Sequence, residues 1–159
     1  MGVRIVRLGS SRGKGEGLRI GTVRRPPRGV PKADFAKRDF YDVWFPNLAP
    51  SLETMKVAHA AQTAAEWNAF KRRYRREMAT PEAAHAIALL AALSRDTDFS
   101  VGCYCEDESH CHRSVLRELL ADAGAQIAAR PPTPARAWSA SSPHWRRRRP
   151  AAGRSSRRC

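Results

Sequence analysis

The sequence predicts an α/β fold: a small, mostly parallel sheet flanked by helices, with a disordered basic C-terminal tail. Three observations carry this. Strand-length apolar runs stand near the start of the chain and again at 98–105, two well-capped helices fill the stretch between them, and the composition changes abruptly after residue 128. Strands that alternate with helices along a chain pair in parallel. The expected organisation is one α/β domain over residues 1–128 and a tail over 129–159. A domain of that length buries roughly two-thirds of its unfolded surface, enough for an independent core.

Val3 to Leu8 alternates apolar residues with Arg4 and Arg7 and reads as a short strand. A glycine-rich loop, Gly9 to Gly17, follows it. The loop is no Walker cradle, because only three residues separate Gly9 from Gly13 and Gly15 follows Lys14; a flexible basic loop is expected. Leu18 to Val23 is a second strand candidate, stopped by Pro26 and Pro27, which supply no ladder donor. Asp34 to Asn47 is aromatic-rich and gives no clear periodicity.

Thr63 and Glu66 form a capping box, so a helix begins there. Trp67, Phe70, Tyr74 and Met78 then recur along one face. Lys71, Arg72, Arg73, Arg75 and Arg76 make the rest of that helix basic. Thr80 before Pro81 predicts a second helix to about Leu93, with Ile87, Leu90 and Leu93 inward. Asp98 to Cys105 has the apolar continuity of a buried strand. After an acidic loop, Cys111 to Ala123 is helical and Gly124 stops it; Gln126 to Ala128 is a short last strand candidate. From Ala129 prolines, serines and arginines leave too little apolar surface to offset ordering.

Charge is unevenly spread. Residues 1–32 carry +8, residues 33–128 carry −3 and residues 129–159 carry +9, giving the chain its net +14. The body is mildly acidic, so the high isoelectric point alone does not make the fold a nucleic-acid binder. Cys103, Cys105 and Cys111 crowd one short stretch, which is no disulfide framework and predicts reduced thiols in a cytoplasmic protein. The N-terminus lacks the apolar run of a signal peptide, and no membrane association is expected.

The segment from Cys103 to Arg113 is the candidate site. It runs from an apolar strand through an acidic turn into a helix start, where backbone amides and the dipole favour anions. Cys111 is the candidate nucleophile, since a thiol beside a helix start, His112 and Arg113 has a lowered pKa. His112 is the candidate for proton transfer, and Arg113 for a bidentate clamp on phosphate or carboxylate. Metal binding is not assigned: cysteines two apart on a strand start too far apart for tetrahedral zinc, and neighbouring Cys111 and His112 diverge by about 100° on a helix. No cofactor is expected.

At CYCEDESHCHRSVL the chain resembles the domain-of-unknown-function 488 (YeaO-like) family of small bacterial cytosolic proteins. The resemblance spans about Val3 to Ala125. Cys103 matches the family's strand cysteine, and Cys111, His112 and Arg113 match its Cys-His-Arg helix opening. Pro27, Arg28 and Gly29 look like its Pro-Arg-Gly turn, while Trp44, Pro50-Ser51 and His59 fall where the family carries Trp, Pro-Ser and His. Pro26 and Val23 replace a Trp and an Asp common before that turn. The resemblance adds Arg28, His59 and Cys103 to Arg113 as ligand-binding candidates, and implies no particular reaction.

The leading expectation is a site that binds, and through Cys111 and His112 transforms, a small anionic or nucleotide-like ligand. Two others compete with it: a nucleic-acid module using the arginine-rich tail and the basic helix face, and a structural zinc domain using Cys103, Cys105, Cys111 and His112.

Overall fold

The computed structural model describes residues 1–129; the tail expected over 129–159 lies outside them but for Ala129. Four strands form one sheet: β1 (Gly2–Arg7), β2 (Leu18–Gly21), β3 (Val43–Trp44) and β4 (Asp98–Cys103). All pair in parallel, in the order β1-β4-β2-β3. The expected mostly parallel sheet is thus wholly parallel, with β4 flanked on both sides. The helices are α1 (Leu52–Ala60), α2 (Ala64–Met78), α3 (Pro81–Leu93) and α4 (His112–Asp122). None is long and apolar enough to cross a membrane.

Alternation along β4 sorts the two faces of the sheet. Phe99 and Val101 join Val3, Ile20, Phe70, Tyr74, Ile87, Leu116 and Leu120 in the main core beneath the helices. Ser100 and Gly102 face the other way. There Ser100 Oγ donates to Glu16 at 2.7 Å, and Gly102 lies against Leu8. That second face is covered by the glycine-rich loop, which takes the place a crossover helix would occupy between parallel β1 and β2.

The loop is not the flexible basic segment expected. Arg19 is fully buried and donates to both carboxylate oxygens of Glu16, to Ser10 O and to Asp39 O. Burial pushes the Glu16 pKa up, but hydrogen bonds from Arg19, the Gly13 amide and Ser100 outweigh it, and the net shift is downward. Gly17 ends the loop at φ 71°, where an added Cβ would fall 1.8 Å from Asp98 O.

Other elements differ in instructive ways. The capping box of Thr63 and Glu66 forms as expected, and Phe70, Tyr74 and Met78 are buried. Thr80 precedes α3, yet its hydroxyl donates back to Glu77 O instead of capping the helix. Leu93 is 43% exposed, not inward, because the buried stripe of α3 runs through Ile87, Leu90 and Ala91 to Ser94 and Leu93 lies about 100° round the helix from it. Ser94 is buried at that point and donates to Ala91 O. Helix α1 was not foreseen; Ser51 caps it by accepting from the Thr54 amide. The expected last strand is a single parallel bridge, Val3 to Ile127.

Candidate active site

The functional candidates gather at the carboxyl end of the sheet, where parallel α/β folds hold their ligands. Strand β4 ends at Cys103, short of the expected Cys105. Cys111 is the N-cap of α4, with extended backbone at φ −132° and ψ 146°, and His112 opens the helix. Cys103, Cys111 and His112 are all buried and bring one ligand atom each within 4.8 Å of one another. Cys103 and Cys111 are free thiols.

The imidazole is fixed from behind. His112 Nε2 donates to Thr22 O at 2.9 Å, so Nδ1 faces Cys111 Sγ at 3.8 Å. Thr22, just past β2, is itself held to Gly102 O by its amide and hydroxyl. Tyr74 lies edge-on to the ring, 5.7 Å between centroids.

The two thiols shift in opposite directions. The Cys103 pKa is well below the ordinary thiol value, because the Cys111 thiol donates to it and His112 attracts its charge, against the effect of burial. Cys111 is pushed up by that same hydrogen bond and by burial. The lowered and the raised values belong to the pair of facing thiols and not to either cysteine alone.

Above these groups opens a cavity of about 800 Å³ lined by Val23, Arg24, Arg25, Pro26, Pro27, Arg28, Phe40, Pro50, Leu52, Glu53, Met55, Lys56, His59, Cys103, Tyr104 and His112. Arg28 and His59, seventy-five and forty-four positions before Cys103 in the chain, thus border one space with Cys103 and His112. The walls are apolar and aromatic, with a cationic rim. Lys56 pairs with Glu53 at 2.8 Å, and Arg24 donates to the carbonyls of Ala49 and Pro50. Arg25 and Arg28 make no ion pair among the described residues.

Arg113 does not line this cavity. It is 3% exposed and donates through Nη2 to Cys105 O at 2.7 Å and to Glu106 O at 3.3 Å. It borders a separate cavity of about 550 Å³ with Arg7, Glu106, Asp107, Glu108, Ser109 and Ser114. One step along a helix turns the side chain about 100°, so His112 and Arg113 serve different spaces. The acidic loop is largely self-satisfied: Glu106 pairs with Arg7 and Glu108 with Arg117. Hydrogen bonds from Ser109 and His110 pull Asp107 down to about 2.

The expectation that Cys111 and His112 must diverge also fails, since Cys111 stands at the extended cap and not within the helix. Cys105, beyond the strand, brings its Sγ to 3.5 Å from that of Cys103. The basic face of α2 is partly consumed: Lys71 and Arg75 pair with Glu118, and Arg75 also with Asp122. Sequence reasoning missed Thr22, Tyr104, Arg24, Arg25 and Lys56. Ser51 ahead of Leu52 and Glu53 was the signal that could have placed α1, and Lys56 with it.

Residues 3–124 match the family profile described as "Active DUF488-N3 subclade". The chain belongs to the domain-of-unknown-function 488 family. No curated protein and no solved structure matches it. In this family member the matched span takes in all four strands but the first residue of β1, all four helices, and every residue of the Cys103–Cys111–His112 cluster.

Proposed function

We propose that this family member binds a small anionic, nucleotide-like ligand in the cavity above Cys103 and His112, and that the Cys103 thiolate attacks an electrophilic centre of that ligand. One observation carries the reading: a buried cysteine with a lowered pKa borders an apolar cavity rimmed by Arg25, Arg28 and His59. Phe40 and Tyr104 suit a flat ring, and the rim cations suit phosphate or carboxylate. Cys111 holds the resting thiolate by its S–H, and His112 Nδ1 takes or returns the proton. The word "Active" in the description of the matching profile accords with a chemically competent site.

The test is protection of Cys103 from iodoacetamide, followed by mass spectrometry, across a panel of nucleotides and phosphorylated metabolites. Slower alkylation with at least one of them, lost in Arg28→Ala, is expected. If no compound changes the alkylation rate, the reading is wrong.

A second reading rests on the same three atoms. A spread within 4.8 Å is close to the ~3.8 Å edge of a tetrahedral zinc site, and a histidine whose other nitrogen donates to a carbonyl is oriented as metal ligands are. Elemental analysis of the reduced protein separates the two. Near-stoichiometric zinc would replace the free nucleophile, and its absence would leave the thiolate reading in place.

A further inference from the structure

Two free thiols whose sulfurs lie within 4.8 Å, one of them bordering a cavity, can do more than hold a nucleophile at rest. Cys103 ends a strand and Cys111 caps a helix, and the segment between them, 104–110, belongs to neither a strand nor a helix. Their sulfurs lie within 4.8 Å, and closing that gap to a bond of ~2.05 Å asks for a small shift of an irregular segment. Cys103 borders the cavity, and a molecule as small as a peroxide can reach it there.

We propose that hydrogen peroxide converts this pair to a Cys103–Cys111 disulfide through a sulfenic acid on Cys103, switching the site off reversibly. The inference rests on Cys103 being the reactive thiolate of the proposed site. In the first step the Cys103 sulfur attacks one peroxide oxygen. The S–O bond forms, the O–O bond breaks, and hydroxide leaves with the electron pair. In the second step the Cys111 sulfur attacks the Cys103 sulfur, the S–O bond breaks and hydroxide departs. The Cys111 proton goes to the departing hydroxide, which leaves as water. The two thiols lose two electrons and the peroxide is reduced to water.

The reduced full-length protein is treated with equimolar hydrogen peroxide, blocked with N-ethylmaleimide and cut after glutamate without reductant. Cleavage at Glu106 and Glu108 leaves the Cys111 peptide joined to the one holding Cys103 and Cys105 only by a disulfide, and fragment-ion sequencing assigns it to Cys103. The linked pair is expected in wild type and is lost on adding dithiothreitol. Cys111→Ser is expected to give a dimedone-reactive sulfenic acid on Cys103 that proceeds to sulfinic acid. Sulfinic acid on Cys103 of the wild type with no link, a link from Cys103 to Cys105 instead, or no oxidation of Cys103 would each overturn the proposal. Should Cys111→Ser fail to fold, the wild-type digest decides alone. Loss of ligand protection with the crosslink intact would overturn only the ligand site; intact protection without the crosslink would overturn only the switch.

Discussion

His112 Nε2 stands 2.9 Å from the backbone carbonyl of Thr22, ninety positions earlier in the chain. A carbonyl only accepts, so this contact sets the tautomer and aims Nδ1 at the sulfur pair. It also ties the start of α4 to the end of β2.

His112→Gln tests that contact. Cys103 loses one of the attractions that hold its pKa down, so its thiolate fraction falls most at acidic pH. Iodoacetamide should therefore alkylate Cys103 more slowly at pH 6 than in wild type, with a smaller difference at higher pH. Thr22 O loses its imidazole donor, and urea melts should show a loss of about 1–3 kcal/mol. An unchanged alkylation rate would remove His112 from the site.

The ion pair of Glu16 and Arg19 should matter more for stability than any surface pair. Arg19→Met leaves a buried carboxylate unpaired and should cost about 3–5 kcal/mol in urea denaturation.

The same pair predicts a pH dependence. The folded pKa of Glu16 lies below its unfolded value, which is ~4.3. Its contribution is fully present above the unfolded value and is lost as pH falls through the folded one. Stability measured from pH 6 to pH 3 should fall less steeply in Glu16→Gln than in wild type.

Arg28, His59 and Arg113 should separate binding from folding. Arg28→Ala and His59→Ala alter exposed residues on the rim and should leave stability within about 0.5 kcal/mol of wild type. Each should weaken a nucleotide that protects Cys103 by about tenfold, the worth of one charge-assisted hydrogen bond. Arg113→Met should do the reverse, costing about 1–3 kcal/mol through the freed carbonyls of Cys105 and Glu106 while sparing affinity. Calorimetry and thermal melts on the three variants check both halves.

Gly17→Ala should destabilise by more than about 3 kcal/mol, since its Cβ would meet Asp98 O and its φ of 71° already disfavours a side chain. Chemical denaturation checks this.

How much of this was legible depended on burial geometry. Helix α2 announced itself because Phe70, Tyr74 and Met78 share one buried face behind a capping box. Helix α1 did not, because Thr54 is its only buried residue and no apolar stripe marks it. β3 has two residues, both exposed, and among the described residues pairs only with β2. At the site, sequence named Cys103, His112, Arg28 and His59, and the fold sets all four on one cavity. It could not say on which side Arg113 would fall, nor that Cys111 would stand at the extended cap. Both follow from where the helix begins, a boundary that sequence fixes only to within a residue or two.

The central place of β4 has a consequence for how the chain is made. β1 and β2 emerge first, yet they flank β4 and do not pair with each other. Until residue 103 has left the ribosome, β1 has no strand to join and β2 only the two residues of β3. The nascent sheet therefore waits, edges open, for its last strand, the long-range closure that slows folding and invites misassociation. The residue completing that strand is Cys103, so the cavity floor is laid by the same step that closes the sheet.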